Sequence, residues 1–156
     1  MKILRAQHRG MCFGVRDAIA LAAKRSAVAD LTVLGELVHN RQALDELKRR
    51  GVRFKHDARE VVTKDVMITA HGASEQAIDH IRGLGLNVIE ATCPLVRYAH
   101  SAVRRLAEEG YHPVIIGKSD HVEVRGLTGD LEAFDVVLNE SDIEGLEERP
   151  RFGVAA

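Results

Sequence analysis

Short apolar runs alternate with segments of helical periodicity along this chain of 156 residues. Continuous apolar runs are typical of strands buried in a parallel sheet, and apolar positions three or four residues apart predict helices with one buried face. The predicted strands are 2–6, 31–34, 52–54, 66–70, 86–90, 113–116, 134–138 and 151–156. The predicted helices are 17–27, 41–50, 75–84, 95–109 and 141–146.

This alternation predicts an α/β fold built on parallel sheets, because parallel neighbours need a crossover connection that is usually a helix. We expect a first α/β unit over residues 1–93 and a second over residues 94–156. The second unit is expected to be truncated, since the strand predicted at 151–156 ends the chain without a polar tail. Asn40 and Ser74 are the residue types that cap the helices that follow them.

Charge and composition narrow the function classes. The chain has 22 Lys and Arg against 23 Asp and Glu. It therefore lacks the broad positive field that would attract duplex nucleic acid or an anionic membrane. Its apolar runs are far shorter than the ~20 residues of a membrane span, and its first residues do not have the pattern of a secretion signal. We therefore expect a cytoplasmic protein with neither nucleic acid nor membrane as a partner.

Reactive side chains fall at the ends of the predicted strands. Six of them follow five strands: Cys12, His39, His71, Cys93, and His121 together with Glu123. In parallel α/β sheets, ligands bind beyond the carboxyl ends of the strands, because the strand-to-helix loops meet there. The pattern predicts that these side chains share one site at that edge.

Each of these residues also has a plainer interpretation. Cys12 and Cys93 precede predicted helices, whose N-termini favour a thiolate, and Pro94 in the first turn makes Cys93 a plausible N-cap. A cytosolic cysteine is nevertheless more often a small core residue, and a structural disulfide is not expected. Two cysteines are also too few for structural zinc or a 4Fe–4S cluster, which normally take four protein ligands.

The histidines and Glu123 also have plainer interpretations. A loop histidine is more often solvated than bound to a ligand, and an acid beside it is more often merely exposed. Four further histidines, His8, His56, His80 and His112, are predicted to lie at the surface, and His100 has no predicted role. From the residues alone, three classes stay open: an enzyme, a non-catalytic module that binds a diphosphate or a partner, and a thiol redox sensor that pairs Cys12 with Cys93.

Five short strings favour the enzyme. They span residues 9–15, 38–40, 70–72, 91–96 and 121–124. In this order and at these separations they closely resemble the N-terminal half of the 4-hydroxy-3-methylbut-2-enyl diphosphate reductase family, which acts last in the non-mevalonate isoprenoid pathway. The chain departs from the family's usual pattern at Val122, where proline is common.

The resemblance implies three α/β units around a 4Fe–4S cluster held by three cysteines. The implied site residues are the metal ligands Cys12 and Cys93, the substrate-binding His39, His71 and His121, and the catalytic acid Glu123. The implied reaction is the reductive dehydroxylation of 4-hydroxy-3-methylbut-2-enyl diphosphate to isopentenyl and dimethylallyl diphosphate. Its implied partners are the allylic diphosphate substrate and a ferredoxin or flavodoxin that donates electrons.

The family's third cysteine ligand is absent from this chain. We therefore expect the chain to be inactive alone. An incomplete sequence, one half of a split enzyme, or a dimer that pools its cysteines would each account for this.

Overall fold

The computed structural model describes residues 2–4 and 10–156 of the chain. Within these ranges, seven strands form two parallel sheets. The strands are β1 (Leu31–Leu34), β2 (Arg53–Lys55), β3 (Asp65–Ile68), β4 (Asn87–Glu90), β5 (His112–Ile116), β6 (Asp135–Val137) and β7 (Phe152–Ala155). The helices are α1 (Phe13–Ser26), α2 (Arg41–Arg49), α3 (Glu75–Gly83), α4 (Pro94–Glu108), α5 (Val122–Thr128) and α6 (Glu140–Ile143), with a 3₁₀ turn at Ala58–Glu60.

The first sheet has the strand order β2-β1-β3-β4, with every neighbouring pair parallel. Successive side chains point to opposite faces, so alternate residues of β3 enter different cores. Met67 packs with residues of α1 and α2, whereas Val66 and Ile68 pack with Ile78 and Ile81 of α3. The sheet is therefore covered by helices on both faces, as the continuous apolar run of β3 predicts.

The second sheet has the order β6-β5-β7 and is also parallel throughout. Its core is small: Ile115 of β5 packs against Val103 of α4 and Val124 of α5. The parallel α/β class expected from the sequence is confirmed. The predicted division of the chain at residues 93 and 94 falls between β4 and α4, and it stays a prediction.

Two sequence-based predictions need correction. Residues 2–4 of the strand predicted at 2–6 have no regular secondary structure, and residues 5 and 6 lie outside the described residues. Ile3 and Leu4 are strongly exposed, so burial of their apolar side chains does not stabilise a strand here. Helix α5 was not predicted. No helix in the described parts of the chain is long and apolar enough to cross a membrane.

Candidate active site

Three strand-end loops of the first sheet are joined by backbone hydrogen bonds. The N–H of Ala70, just after β3, donates to the carbonyl of Leu37 at 3.1 Å, and the N–H of Cys93 donates to the carbonyl of Ala70 at 3.0 Å. His39 follows Leu37 by two residues, and His71 follows Ala70 directly. The parallel register thus brings the loops that carry His39, His71 and Cys93 side by side.

Three imidazole rings meet at this edge. The ring centroids of His39 and His71 are 4.3 Å apart, those of His39 and His121 are 5.8 Å apart, and those of His71 and His121 are 6.4 Å apart. His121 belongs to the second sheet's unit, where it is the N-cap of α5 and its Nδ1 accepts the N–H of Glu123 at 3.3 Å. The cluster therefore contains histidines from both sheets.

Glu123 completes the cluster. Its Oε1 lies 2.8 Å from Nδ1 of His71, and its carboxyl is partly exposed while the His71 side chain is nearly buried. An ionised carboxylate only accepts, so Nδ1 of His71 carries the shared proton when Glu123 is charged. The other ring nitrogen, Nε2 of His71, is buried and has no hydrogen-bond partner among the described residues. The sequence placed Glu123 in a loop, but it lies in the first turn of α5.

The two cysteines occupy equivalent positions. Cys93 is the N-cap of α4, with Pro94 in the first turn, as the sequence predicts. Cys12 is the N-cap of α1, because this helix begins at Phe13 and not at residue 17 as predicted. Neither side chain makes a capping hydrogen bond, and both thiols are free of disulfide bonds. Gly14 lies against Cys93: a Cβ at position 14 would stand 2.5 Å from the Cys93 sulfur. The absence of a side chain there brings the start of α1, and so the Cys12 segment, up to Cys93.

The donor set fits part of an iron–sulfur ligand shell. Both residues stand at helix N-termini, and cysteine sulfur is the ligand by which proteins hold such a cluster. Within the described ranges, His, Cys, Asp and Glu form no group of three or more that could hold a metal ion. Cys12 and Cys93 therefore suit two ligand positions of a cluster whose remaining ligands would have to come from elsewhere.

Two cations missed by the sequence reasoning border the histidines. A cleft of about 380 Å³ is lined by His39, His71 and His121 and also by Lys118 and Arg125. Lys118 directly follows Gly117 at the end of β5, so the strand-end rule that selected the histidines could have found it. Arg125 gave no such signal, because it reaches the cleft only through the unpredicted helix α5.

The remaining histidines divide into three cases. His56 and His80 are exposed as predicted, although His56 lines the same cleft, and His8 lies outside the described residues. The surface prediction for His112 is wrong, since its side chain is nearly buried and its Nε2 lies 2.8 Å from Asp135. That pair holds the amino ends of β5 and β6 together, at the opposite end of the sheet from the cleft.

Comparison with known proteins decides the family. A sequence profile described as LytB protein matches residues 3–156. The chain belongs to the LytB protein family. Its curated relatives are named 4-hydroxy-3-methylbut-2-enyl diphosphate reductase and include proteins of Aquifex aeolicus, 37% identical over 99% of this chain and 55% of the relative, and Dictyoglomus turgidum, 35% identical over 99% and 55%.

Solved structures agree with this assignment. The reductase of Plasmodium falciparum superposes with a TM-score of 0.88 at 30% identity and covers 95% of this chain and 48% of its own. A second structure, titled as the terminal enzyme of the non-mevalonate pathway, gives a TM-score of 0.82 at 36% identity, with 97% and 56% covered. The LytB chain described here spans about half the length of these relatives. The family resemblance stated from the sequence is confirmed.

Proposed function

We propose that this LytB chain provides the N-terminal part of a 4-hydroxy-3-methylbut-2-enyl diphosphate reductase, with the site residues implied by the resemblance. The observation that carries the proposal is the bond between His71 and Glu123 beside two further imidazoles. It joins groups from both sheets at one cleft. Lys118 and Arg125 line the same cleft and are matched there by the carboxylates of Glu36 and Asp120, so the imidazoles rather than an excess of positive charge distinguish it.

The cleft suits a diphosphate. Imidazole N–H groups and the nearby Lys118 and Arg125 offer charge-assisted hydrogen bonds, each worth ~1.5–3 kcal/mol to a charged acceptor. Nε2 of His71, which has no hydrogen-bond partner among the described residues, is the nitrogen left for a ligand, and the ring of His39 lies against that imidazole. Nε2 donates to a phosphate oxygen when it carries a proton, that is, when the proton shared with Glu123 lies on the carboxyl or when both ring nitrogens of His71 are protonated. Because His39 is exposed, its ring can turn away at little cost and open the path to Nε2.

Glu123 is the group suited to proton transfer. The proton between Glu123 Oε1 and His71 Nδ1 can reside on either atom, so a proton is available where the substrate's reacting end would bind. The partial exposure of Glu123 allows it to be reprotonated from water. His121 orients this carboxylate indirectly, because it caps the helix turn on which Glu123 lies.

Cys12 and Cys93 would hold one side of a 4Fe–4S cluster. Such a cluster would pass on, one at a time, the two electrons that an external donor supplies, and with two protons these would cleave the allylic carbon–oxygen bond and release water. The ferredoxin or flavodoxin donor, the cytoplasmic location and a second chain that completes the site are parts of this proposal. The thiol redox sensor and the non-catalytic binding module are the competing functions.

Calorimetric titration with inorganic pyrophosphate tests the binding half of the proposal. We expect the wild-type chain to bind, His71→Ala to weaken binding at least about tenfold, and His80→Ala, an exposed histidine outside the cleft, to leave it unchanged. Equal affinity in the His71 and His80 variants, or no binding by the wild type, would contradict a diphosphate site at this cleft.

Anaerobic reconstitution with iron and sulfide tests the redox half. We expect the wild-type chain to take up iron substoichiometrically and to lose part of it on gel filtration, without reductase turnover. We expect Cys93→Ser to take up clearly less iron than the wild type before that step. Full iron occupancy with turnover would show that this chain needs no further ligands. A colourless protein that binds pyrophosphate as tightly after Cys12→Ser would favour the non-catalytic module.

A further inference from the structure

His100 lies on α4 outside the group of residues that the proposed reaction uses. Its Nε2 is buried and has no hydrogen-bond partner among the described residues. A polar atom in this state costs free energy, because it has lost water and gained nothing in return. A hydrogen bond of Nε2 therefore does not explain why the His100 ring is buried at this place, and its packing contacts have to explain it.

The ring of His100 lies between two glycines from different parts of the chain. A Cβ at Gly126 would stand 3.2 Å from Cε1 of His100, which is its nearest neighbour. A Cβ at Gly72 would stand 3.3 Å from Nε2 of His100, with Val96 equally close and Thr92 closer at 3.0 Å. Gly72 also has a φ of +76°, a conformation that favours glycine. These close approaches mean that the imidazole fills the space beside Gly126 and, together with Thr92 and Val96, the space beside Gly72. His100 is the side chain that contacts both glycines.

The two glycines belong to the elements that carry the bond across the cleft. Gly72 follows His71 directly, and Gly126 lies three residues after Glu123, about one helical turn further along α5. We infer that His100 is a positioning residue whose ring sets the distance between the His71 loop and helix α5. The inference deepens the proposed function, since His71 and Glu123 are the groups that function assigns to substrate binding and proton transfer.

A second contact makes this inference testable without unfolding the protein. The carboxylate of Asp130, just after α5, accepts the N–H groups of Glu75 and Gln76 at 2.8 and 3.0 Å. This cap holds α3 of the first unit to the end of α5 independently of the imidazole. Removal of the His100 ring should therefore loosen the His71–Glu123 contact while the two units stay joined.

The test is the ¹H–¹⁵N imidazole spectrum of the full chain. In the wild type we expect a slowly exchanging Nδ1–H resonance from His71, assigned by its loss in Glu123→Ala. His100→Ala should remove or broaden that resonance and weaken binding of inorganic pyrophosphate about tenfold, the effect of losing one well-placed hydrogen bond. His100→Gln, which keeps a long polar side chain, should partly restore both. Val103→Ala, a buried change on the same helix, should lower the melting temperature and leave the resonance intact.

The outcomes separate the inference from the proposed function. If the resonance responds to His100→Ala as expected but no variant or wild-type chain binds pyrophosphate, the positioning role stands and the diphosphate site fails. If the resonance is absent in the wild type, persists in His100→Ala, or disappears equally in Val103→Ala, the positioning role is overturned whatever the binding data show.

Discussion

The two sheets of this LytB chain differ sharply in how they are stabilised. Among the residues that the structure describes, the first has twelve buried hydrophobic residues on one face and four on the other, whereas the core of the second is built around three. Apolar side chains of the second sheet, such as Ile116 and Val154, are strongly exposed. Yet the segment that follows β5 of the second sheet supplies His121, which lines the cleft, and Glu123, which bonds to His71. The site therefore joins a well-packed scaffold to a lightly packed one, and the contacts between them matter as much as either core.

The largest expected effect comes from opening a cavity in each core. Met67→Ala, at a fully buried position between β1 and β4, should cost about 4 kcal/mol in the free energy of unfolding. Ile115→Ala in the smaller core should cost about 2 kcal/mol, because its surroundings can collapse more readily into the space. Urea denaturation measures both, and equal costs would contradict the difference between the two sheets.

Two Gly→Ala substitutions test whether the close contact between the start of α1 and Cys93 is rigid. Gly14→Ala places a methyl group 2.5 Å from the sulfur of Cys93 and should destabilise the protein by about 1–3 kcal/mol. The matched change Gly83→Ala, at the end of α3, meets nothing within 4 Å and should stabilise it by about 0.4–1 kcal/mol.

Thermal melts and the alkylation rate of Cys93 would follow these two variants. Opposite signs in the melting temperature, with altered thiol reactivity in Gly14→Ala alone, are the expected result. Two variants of the same sign would mean that the start of α1 yields freely and does not fix Cys93.

Two asparagine N-caps, one beside each sheet, allow the stability of the two sheets to be compared through smaller changes. Asn40 caps α2, whose Leu44 and Leu47 are buried in the large core, and Asn139 caps the short helix α6, which buries no residue. Asn40→Ala should cost about 1 kcal/mol and Asn139→Ala clearly less, since α6 can fray without exposing the core. Chemical denaturation gives both values. A larger loss at Asn139 would show that α6 supports the second sheet more than its burial indicates.

The smallest expected effect is a pH dependence at the contact between the units. Burial lowers the pKa of His100 below its usual 6.5, opposed by Asp130, Glu75 and Glu123, and Arg104 lowers it further. Above about pH 6.5 both folded and unfolded states hold this ring neutral, so it contributes no pH dependence. As the pH falls below 6.5 the unfolded state binds the proton more readily, and stability falls until the folded pKa is passed.

The measurement is the difference in unfolding free energy between wild type and His100→Gln at about pH 7.5 and about pH 5.5. The wild type should lose stability relative to the variant on acidification. An unchanged or inverted difference would show that His100 accepts a proton in the folded state without penalty.

The sequence predicted the strands of both sheets, and its errors fall on the segments around them. The buried run of β3 and the caps Asn40 and Ser74 have strong local signals, and the structure confirms them. Helix α5 escaped prediction because Val122, Val124 and Thr128 are weak helix formers; burial of Val124 and Thr128 against the rest of the protein stabilises it instead. The first strand was predicted wrongly because its apolar residues 3 and 4 suggest burial, whereas both are strongly exposed.

The same distinction applies to the site. The strand-end rule selected Cys93 and the three histidines, because it depends only on parallel topology. It selected Cys12 from the strand predicted at 2–6, and residues 2–4 do not form that strand. The bond between His71 and Glu123 spans 52 residues, and no local pattern predicts such a contact. The His100 ring packs against two glycines that are far from it in sequence, so only the folded structure shows these contacts.

The central claim is that both sheets present their carboxyl ends to one anion-binding cleft. It is tested most directly by following every imidazole resonance during titration with inorganic pyrophosphate. The account predicts that His39, His71 and His121 shift together with one dissociation constant, while His80 and His112 do not move. Shifts confined to the histidines of one sheet, or equal shifts across all five, would contradict it.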